Sequence, residues 1–238
     1  MATAAVIGST GLVGGHILSD LLGLDAVKTV HTLSRRAPKA EGPKLSAHID
    51  ADITKWASAL SSITPTPDIV FSALGTTRAD AGGIANQWKI DHDLNVELAK
   101  SARAAGVKAF IFISSAGTRG LIGGAAPYSK MKQGVEDTIK ELDFEQAIIL
   151  RPGLILGDRE KPKAPIVNAI AKGLGSLHKG LQDMIAQEAD EIGRAAVNVA
   201  MMAREGKAPE RYWIVEGADI IKYGREEAKS VEEKGSEI

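Results

Sequence analysis

Short apolar runs alternate with amphipathic segments along most of this 238-residue chain. The runs are rich in valine and isoleucine, which is typical of strands buried on both faces of a parallel sheet. They predict strands at Ala4–Ile7, Val27–Leu33, Leu45–Ile49, Ile69–Ala73, Ala109–Ser114, Ala147–Leu150 and Tyr212–Val215. Between the strands, apolar residues recur at helical spacing, most clearly over Asn86–Ala105 and Tyr128–Leu142. The pattern therefore predicts a succession of βαβ units.

This order of elements predicts an α/β domain with a doubly wound, Rossmann-type parallel sheet. Right-handed connections between parallel strands place helices on both faces of the sheet. The length suits a single domain at residues 1–225 with a small C-terminal substrate region at about 154–190, followed by a charged tail at 226–238. Ligands of such sheets bind beyond the carboxyl ends of the strands, so polar residues just after strands are the functional candidates.

A glycine-rich turn follows the first predicted strand and leads into an apolar-periodic segment. The turn reads Gly8-Ser9-Thr10-Gly11-Leu12-Val13-Gly14. Glycines let the backbone turn tightly and approach a pyrophosphate, which then rests on the free N–H groups at the start of the helix. A purely structural turn is the alternative. The position of the motif between a strand and a helix favours a dinucleotide cofactor.

The second predicted strand closes with Ser34, Arg35 and Arg36. At this place in the fold, an acidic side chain binds the ribose 2′-hydroxyl of NAD, whereas an arginine accommodates the 2′-phosphate of NADP. The segment has two guanidinium groups and no carboxylate, so it favours NADP(H) over NAD. A solvated basic turn is the alternative interpretation.

Further cofactor contacts are predicted after the third and fourth strands. Asp52 is a candidate acceptor for the adenine amino group, with the Ile53 backbone beside it. Asp50 is the alternative, and either aspartate also suits a helix N-cap. Small residues after the fourth strand let a cofactor lie against the chain, or form an ordinary turn; they are Ala73, Leu74 and Gly75.

The candidate catalytic residues are Ser115, Tyr128 and Lys132. Tyr128 and Lys132 are four residues apart and therefore share one face of a helix. A lysine ammonium beside a phenol favours the phenolate and is expected to lower the pKa of the tyrosine. Such a tyrosine can give a proton to a carbonyl oxygen or take one back. Ser115 directly follows a strand, where its hydroxyl can hold the same substrate oxygen.

Composition and charge exclude several classes of function. The formal net charge is −1 and basic residues form no large cluster, which argues against nucleic acid as a ligand. The chain has no cysteine, and its five histidines lack metal-ligand spacing, so no metal site is expected. No apolar stretch reaches the roughly 18 residues of a membrane span. The first strand begins almost at Met1, so no cleavable targeting peptide is expected either.

Together these motifs resemble the short-chain dehydrogenases/reductases of the atypical, extended-like branch. The resemblance depends on Gly8–Gly14, Ser114-Ser115, Tyr128 with Lys132, and Arg151-Pro152-Gly153. More narrowly, the chain is similar to the fungal "found in mitochondrial proteome" family, which is related to the animal Tat-interacting oxidoreductase. That similarity depends on Thr76-Thr77-Arg78, Gly82-Gly83, Lys89–Asn95 and Ser114–Gly117, and the likeness extends from about Thr3 to Asp158.

The resemblance implies NADP(H) bound across the strand ends, with Gly8, Gly11 and Gly14 at the pyrophosphate. It makes Tyr128 the acid/base residue and gives Lys132 a contact with the nicotinamide ribose. Ser115 would orient the substrate, with Ser114 as the fallback. The backbone of Pro152 and Gly153 would flank the nicotinamide.

Two further expectations come from the resemblance. Better-studied members often have an asparagine, in the helix after the fourth strand, that relays protons through the lysine. Asn95 is the nearest candidate, and Asp91 and His92 compete for that place. The resemblance also implies peripheral attachment to the mitochondrial outer membrane.

The sequence therefore predicts an NADP(H)-dependent oxidoreductase that acts on a small carbonyl or alcohol. The alternative is a regulatory NADP(H)-binding protein with little turnover, because an intact site does not prove catalysis. The substrate region after Leu156 is short, which argues against large nucleotide-sugar substrates. The sequence leaves the substrate and the oligomeric state open.

Overall fold

The computed structural model describes residues 1–120, 124–157 and 186–225. The strands are β1 (Ala2–Ile7), β2 (Val27–Ser34), β3 (Leu45–Ile49), β4 (Ile69–Ser72), β5 (Ala109–Ile113), β6 (Gln146–Arg151), β7 (Leu154–Leu156), β8 (Ala186–Glu188) and β9 (Tyr212–Glu216). Within the described residues, a seven-stranded sheet has the order β3-β2-β1-β4-β5-β6-β9, with every neighbouring pair parallel. β7 and β8 pair separately, also in parallel.

Helices cover both faces of this sheet. They are α1 (Leu12–Gly23), α2 (Trp56–Ser61), α3 (Ile84–Trp88), α4 (Asn95–Ala104), α5 (Pro127–Glu141) and α6 (Ala189–Arg204). Residues 217–225 are also helical. A π-helical segment, Lys89–Leu94, joins α3 to α4. α5 begins with Pro127, whose fixed φ and missing N–H suit the first helical position.

The alternation of side chains along the strands divides the core into two layers. Ile111 belongs to the layer under α1 and α6, whereas Phe110 and Phe112 belong to the layer under α2, α4 and α5. All three side chains are fully buried. The predicted doubly wound α/β fold is therefore confirmed.

Helices α1 and α6 are in close contact on the first of these faces. A Cβ added at Gly193 of α6 would lie 2.7 Å from the His16 Cβ and 3.1 Å from the Ile17 nitrogen of α1. No larger residue fits between the two helices without moving one of them. The close contact fixes α1 against α6.

The seven predicted strands all occur in the main sheet, with ends that shift by one or two residues. The long helix predicted over Asn86–Ala105 is instead interrupted by the π-helical segment, and the β7–β8 pair was not predicted. Most of the predicted substrate region, residues 158–185, lies outside the described residues, as does the predicted tail at 226–238. The domain boundaries therefore stay a prediction. In the described ranges, no helix is long and apolar enough to cross a membrane.

Candidate active site

The glycine turn joins β1 to α1 at the carboxyl edge of the sheet, where β1 lies beside β4. Gly8 has a φ of 85°, in the left-handed region that favours glycine. A Cβ on Gly8 would lie 2.8 Å from the Ala73 carbonyl oxygen, and a Cβ on Gly14 would overlap the Gly8 carbonyl oxygen. The turn is therefore packed tightly between the end of β4 and the start of α1.

The N-terminus of α1 suits an anionic ligand. Its N-cap residue, Gly11, has no side chain to accept from the first-turn N–H groups, and that turn contains no acidic residue. These N–H groups have no partner within the helix, and the helix dipole adds positive charge. Ser9 is buried, and its hydroxyl has no hydrogen-bond partner among the described residues. This arrangement fits a phosphate group.

The other predicted residues of the turn differ in how they can contribute. Thr10 is half-buried in the turn, and Leu12 is the first residue of α1. The side chain of Val13 packs in the core beneath the helix. Val13 can therefore offer a ligand only its backbone N–H.

The end of β2 places a buried serine beside two exposed arginines. Ser34 is buried, and its hydroxyl donates a hydrogen bond to the Arg36 carbonyl oxygen over 2.7 Å. This bond shapes the turn and leaves the side chains of Arg35 and Arg36 on the surface. The predicted 2′-phosphate site therefore has exposed guanidinium groups at the carboxyl edge of the sheet.

The structure gives the aspartates after β3 local roles. Asp52 is the N-cap of a short 3₁₀ turn and accepts from the Thr54 N–H over 3.1 Å and from the Thr54 hydroxyl over 2.6 Å. These hydrogen bonds, and then Lys55, lower the pKa of Asp52. Asp50 accepts from the Asp52 N–H over 2.9 Å. The helix-cap alternative therefore describes Asp52, and an adenine contact by Asp52 or the half-buried Ile53 stays a prediction.

The segment after β4 connects the glycine turn with the candidate catalytic residues. Ala73 continues β4 and donates its N–H to the Ile7 carbonyl oxygen of β1, and Leu74 is half-buried beside it. Gly75 is exposed. A Cβ built on Gly75 would lie 4.0 Å from the Lys132 Nζ. The chain after β4 thus passes between the turn at Gly8 and the lysine of α5.

Tyr128 lies in the first turn of α5 and is 40% exposed. Ser115 is half-buried just after β5, near the Tyr128 phenol, and its hydroxyl donates to the Ala116 carbonyl oxygen over 3.5 Å. Partial burial and the negative charge of Asp91 raise the pKa of Tyr128, and the Ser115 side chain only partly offsets them. The phenol is therefore accessible, near the predicted serine, and protonated at neutral pH.

Lys132 lies one helical turn further along α5 and is almost completely buried. Its ammonium group donates to the Ile113 carbonyl oxygen over 3.0 Å and lies 4.6 Å from the centre of the Phe112 ring. Burial lowers the pKa of Lys132, while the charges of Asp91 and Glu136 oppose this shift. The expectation that Lys132 lowers the pKa of Tyr128 is wrong, because burial and the Asp91 carboxylate raise it.

Ser114, the fallback for Ser115, is held in a buried ionic network. Its hydroxyl donates to the Glu136 carboxylate over 2.5 Å, and Glu136 is fully buried. Arg151 and Arg119 also bind Glu136, at 2.7 and 3.0 Å. Burial alone would raise the pKa of Glu136, but the hydrogen bonds from Arg151, Ser114 and Arg119 hold it below its ordinary value. Ser115 is thus the serine that contacts Tyr128.

The three candidates for the relay position have different surroundings. Asn95 is fully buried and accepts from the Ser72 hydroxyl over 2.6 Å, while its amide donates to two carbonyl oxygens of the π-helical segment. The His92 ring packs on Gly134 and pairs with Asp93. Asp91 is the candidate whose charge acts on both Tyr128 and Lys132. The relay role expected of Asn95, and the cofactor contact that goes with it, stay a prediction.

Pro152 and Gly153 lie beside the loop that follows Ser115. The Pro152 carbonyl oxygen accepts from the Ala116 N–H over 2.7 Å. The Gly153 N–H donates to the Gln187 side chain of β8 over 2.7 Å. The buried Gln187 therefore fixes the backbone that the resemblance assigns to the nicotinamide.

Residues 4–212 match the NAD dependent epimerase/dehydratase family. The chain belongs to this family. It is 62% identical to "Protein fmp52-2, mitochondrial" of Aspergillus oryzae, over 96% of this chain and all of that protein. It is 57% identical to "Protein FMP52, mitochondrial" of Chaetomium globosum over the same shares. The resemblance found in the sequence is confirmed: this epimerase/dehydratase family member is a homologue of the fungal fmp52 proteins.

Solved structures support the fold of this family member. Bordetella bronchiseptica WbmF in complex with NAD+ has a TM-score of 0.65 at 16% identity, covering 94% of this chain and 78% of that chain. A UDP-galactose 4-epimerase has a TM-score of 0.66 at 16% identity, covering 90% and 76%. At such identities, the likeness shows a shared Rossmann-type fold.

Three residues around the site of this family member escaped the sequence analysis or were left as alternatives. Asp91 was one of three candidates for the relay position. Helical periodicity could not distinguish the three, because the π-helical segment changes the spacing of side chains along the helix. Gln187 and Glu136 carry no motif, and only the folded chain brings Gln187 to Gly153 and Glu136 to Ser114.

Proposed function

We propose that this protein is an NADP(H)-dependent oxidoreductase of the short-chain dehydrogenase/reductase type, which acts on a small carbonyl or alcohol. The observation that carries the proposal is the accessible Tyr128 phenol, near Ser115 and one turn from the buried Lys132. Contacts through Ala73 and Gly75 join this group to the glycine turn at one edge of the sheet. Proton-transfer groups thus lie beside a turn suited to phosphate.

The residues present fit NADP(H). The open N-terminus of α1 and the unpaired Ser9 hydroxyl suit the pyrophosphate. Arg35 and Arg36 suit a 2′-phosphate, and the segment Ser34–Arg36 that closes β2 contains no acidic residue. When bound, NADPH supplies the hydride for carbonyl reduction. The narrower choice of NADP(H) over NAD is supported by these two arginines.

The protonation state of Tyr128 determines which proton transfer the protein can perform. A phenol with an ordinary pKa is already protonated at neutral pH, and burial and Asp91 raise the pKa of Tyr128 further, so it can donate its proton to a carbonyl oxygen. The Ser115 hydroxyl is close enough to Tyr128 to hold the same oxygen. The reverse reaction needs the phenolate, which forms only above the raised pKa. At neutral pH the site therefore presents the proton-donating form that carbonyl reduction needs.

Turnover with NADPH tests this proposal. The purified protein is incubated with NADPH and a panel of small aldehydes, ketones and quinones, and loss of NADPH absorbance is followed. We expect oxidation of NADPH with at least one carbonyl class, at rates that fall at alkaline pH. Tight NADPH binding without turnover on any member of the panel would contradict the enzyme and favour the regulatory alternative.

Arg35 and Arg36 are expected to set the preference for NADPH. Replacing both by serine removes the charge-assisted hydrogen bonds to the 2′-phosphate, each contributing about 1.5–3 kcal/mol. NADPH affinity should fall by about 10²–10⁴-fold while NADH affinity is unchanged. Fluorescence titrations of both nucleotides measure this, with Lys28→Ser at the opposite, exposed end of β2 as the control. An equal loss of NADH and NADPH affinity would refute the assignment.

We further propose that the protein is mitochondrial and attaches peripherally to the outer membrane. The support is the word "mitochondrial" in the names of its fmp52 relatives, together with the family resemblance. Cell fractionation should recover the protein with mitochondria. Carbonate extraction should release it, and protease added to intact mitochondria should degrade it. Protection from that protease would contradict the outer-membrane location.

A further inference from the structure

The π-helical segment delivers a carboxylate to the interior of the site. The segment Lys89–Leu94 has a wider turn than its α-helical neighbours, and such segments often occur at functional sites. Asp91, near its middle, is 1% exposed. One carboxylate oxygen accepts from the Thr76 N–H over 2.7 Å, and the other accepts from the Gln87 amide over 3.3 Å. The carboxylate is therefore fixed in position.

Asp91 and Lys132 approach the same point of the backbone. A Cβ built on Gly75 would lie 3.9 Å from the Asp91 Oδ1 and 4.0 Å from the Lys132 Nζ. Both side chains are buried, so each charge needs the other to offset the cost of leaving water. The absence of a side chain at Gly75 leaves the two groups facing a common exposed position.

We propose that Asp91 is a positioning residue whose fixed negative charge beside Lys132 raises the pH at which the Tyr128–Lys132 pair can accept a proton from an alcohol. The inference rests on the proposed function and adds the pH dependence of the reaction. Asp91 acts through Lys132 and Tyr128. Its charge favours the ammonium form of the lysine and opposes formation of the phenolate.

The other charged groups near Tyr128 and Lys132 have partners of their own, so Asp91 is the residue whose charge we expect to control their titration. Glu136, on α5, also acts on Lys132, but Arg119 and Arg151 bind its carboxylate. His92, packed on α5 at Gly134, is paired with Asp93. From the β5 side, Tyr128 meets the neutral hydroxyl of Ser115.

The sign of the effect follows from coupled titration. Tyr128 and Lys132 are close enough that the charge of each affects the pKa of the other. The first proton lost by the pair therefore has one macroscopic pKa that belongs to both groups. Removing a nearby negative charge lowers that pKa, whichever of the two groups gives up the proton. Without the charge of Asp91, the proton-accepting form of the site appears at lower pH. Alcohol oxidation then becomes possible closer to neutrality.

Asp91→Asn tests the inference, since asparagine keeps the shape and can still accept from the Thr76 N–H. We expect the pH profile of alcohol oxidation to move down by about one unit, and the oxidation-to-reduction rate ratio at neutral pH to rise about tenfold. Asp91→Glu should restore the wild-type profile. Asp91→Ser, which also removes the charge, should repeat the shift and replaces the asparagine variant if that one does not fold.

A second measurement does not depend on turnover. Tyrosinate absorbance is titrated with pH in wild type and Asp91→Asn, and the Tyr128 signal is isolated by subtracting the same titrations made with Tyr128→Phe. We expect Tyr128 to ionise at lower pH in the asparagine variant. Asp93→Asn, which changes an exposed carboxylate two residues away, is the matched control and should leave both readouts unchanged.

The outcomes separate the two proposals. If Asp91→Asn titrates as wild type does and keeps the wild-type ratio of rates, the role of Asp91 is refuted while the oxidoreductase stands. If no substrate turns over, the oxidoreductase fails, and the absorbance titration still decides whether Asp91 holds the phenol protonated.

Discussion

Replacing Tyr128 by phenylalanine is expected to lower kcat for carbonyl reduction by about 10²–10⁴-fold, the usual contribution of a general acid. The change removes only the hydroxyl, which lies near Ser115, and keeps the ring in the first turn of α5. The glycine turn and the arginines after β2 are untouched, so NADPH affinity should stay close to wild type. Initial rates of NADPH oxidation and a fluorescence titration with NADPH measure the two quantities separately.

Tyr223→Phe is the matched control, because the Tyr223 ring packs edge-on against Trp213 in a different part of the fold. Its kcat should equal that of wild type. Full activity of Tyr128→Phe on every substrate that the wild type reduces would overturn the acid/base assignment. A parallel loss of NADPH affinity would show instead that the phenol serves binding.

Replacing Gly14 by alanine is expected to have the largest effect on cofactor binding and stability together. The added methyl group would overlap the carbonyl group of Gly8. A methyl group fixed to the helix backbone and a backbone carbonyl cannot rotate away from each other. Overpacking of this kind costs about 1–3 kcal/mol in the free energy of unfolding. Displacing the turn also moves the first-turn N–H groups of α1, so NADPH affinity should fall at least about tenfold. Denaturant unfolding and nucleotide titration measure both effects.

The neighbouring glycine provides a sharp control. A Cβ on Gly15 would lie 3.6 Å from the Ser9 carbonyl oxygen, an ordinary contact distance. Because alanine favours a helix interior over glycine, Gly15→Ala should be neutral or stabilise the protein by roughly 0.5–1 kcal/mol. NADPH affinity should not change. A Gly14→Ala variant as stable as Gly15→Ala would show that the turn is less tightly packed than described.

The sheet could be predicted because parallel strands that are buried on both faces leave continuous apolar runs in the sequence. Segments such as Phe110–Phe112 and Ile148–Ile149 have no other simple interpretation. The β7–β8 pair left no such trace, since each strand is three residues long. Gln187, which bonds to Gly153, joins the two segments through a long-range contact between side chain and backbone. A contact of this kind has no sequence periodicity.

The candidate site was predictable where it depends on local spacing, and not where it depends on the folded environment. The separation of Tyr128 and Lys132 by one helical turn follows from sequence alone. The pKa of Tyr128 depends instead on its burial and on Asp91, a residue from another element. Likewise, neighbouring serines are equivalent in sequence, and only the buried Glu136 distinguishes Ser114 from Ser115.

The close contact at Gly193 has a consequence for the kinetics of ligand capture. Because α6 packs closely on α1 at His16 and Ile17, it supports the helix one turn from its N-terminus. Under the proposed function, a dinucleotide that binds there would incur little entropy loss in organising its receptor. If α1 and α6 were further apart at Gly193, α1 would be held less firmly. Cofactor affinity would then fall although no bond to the cofactor is lost.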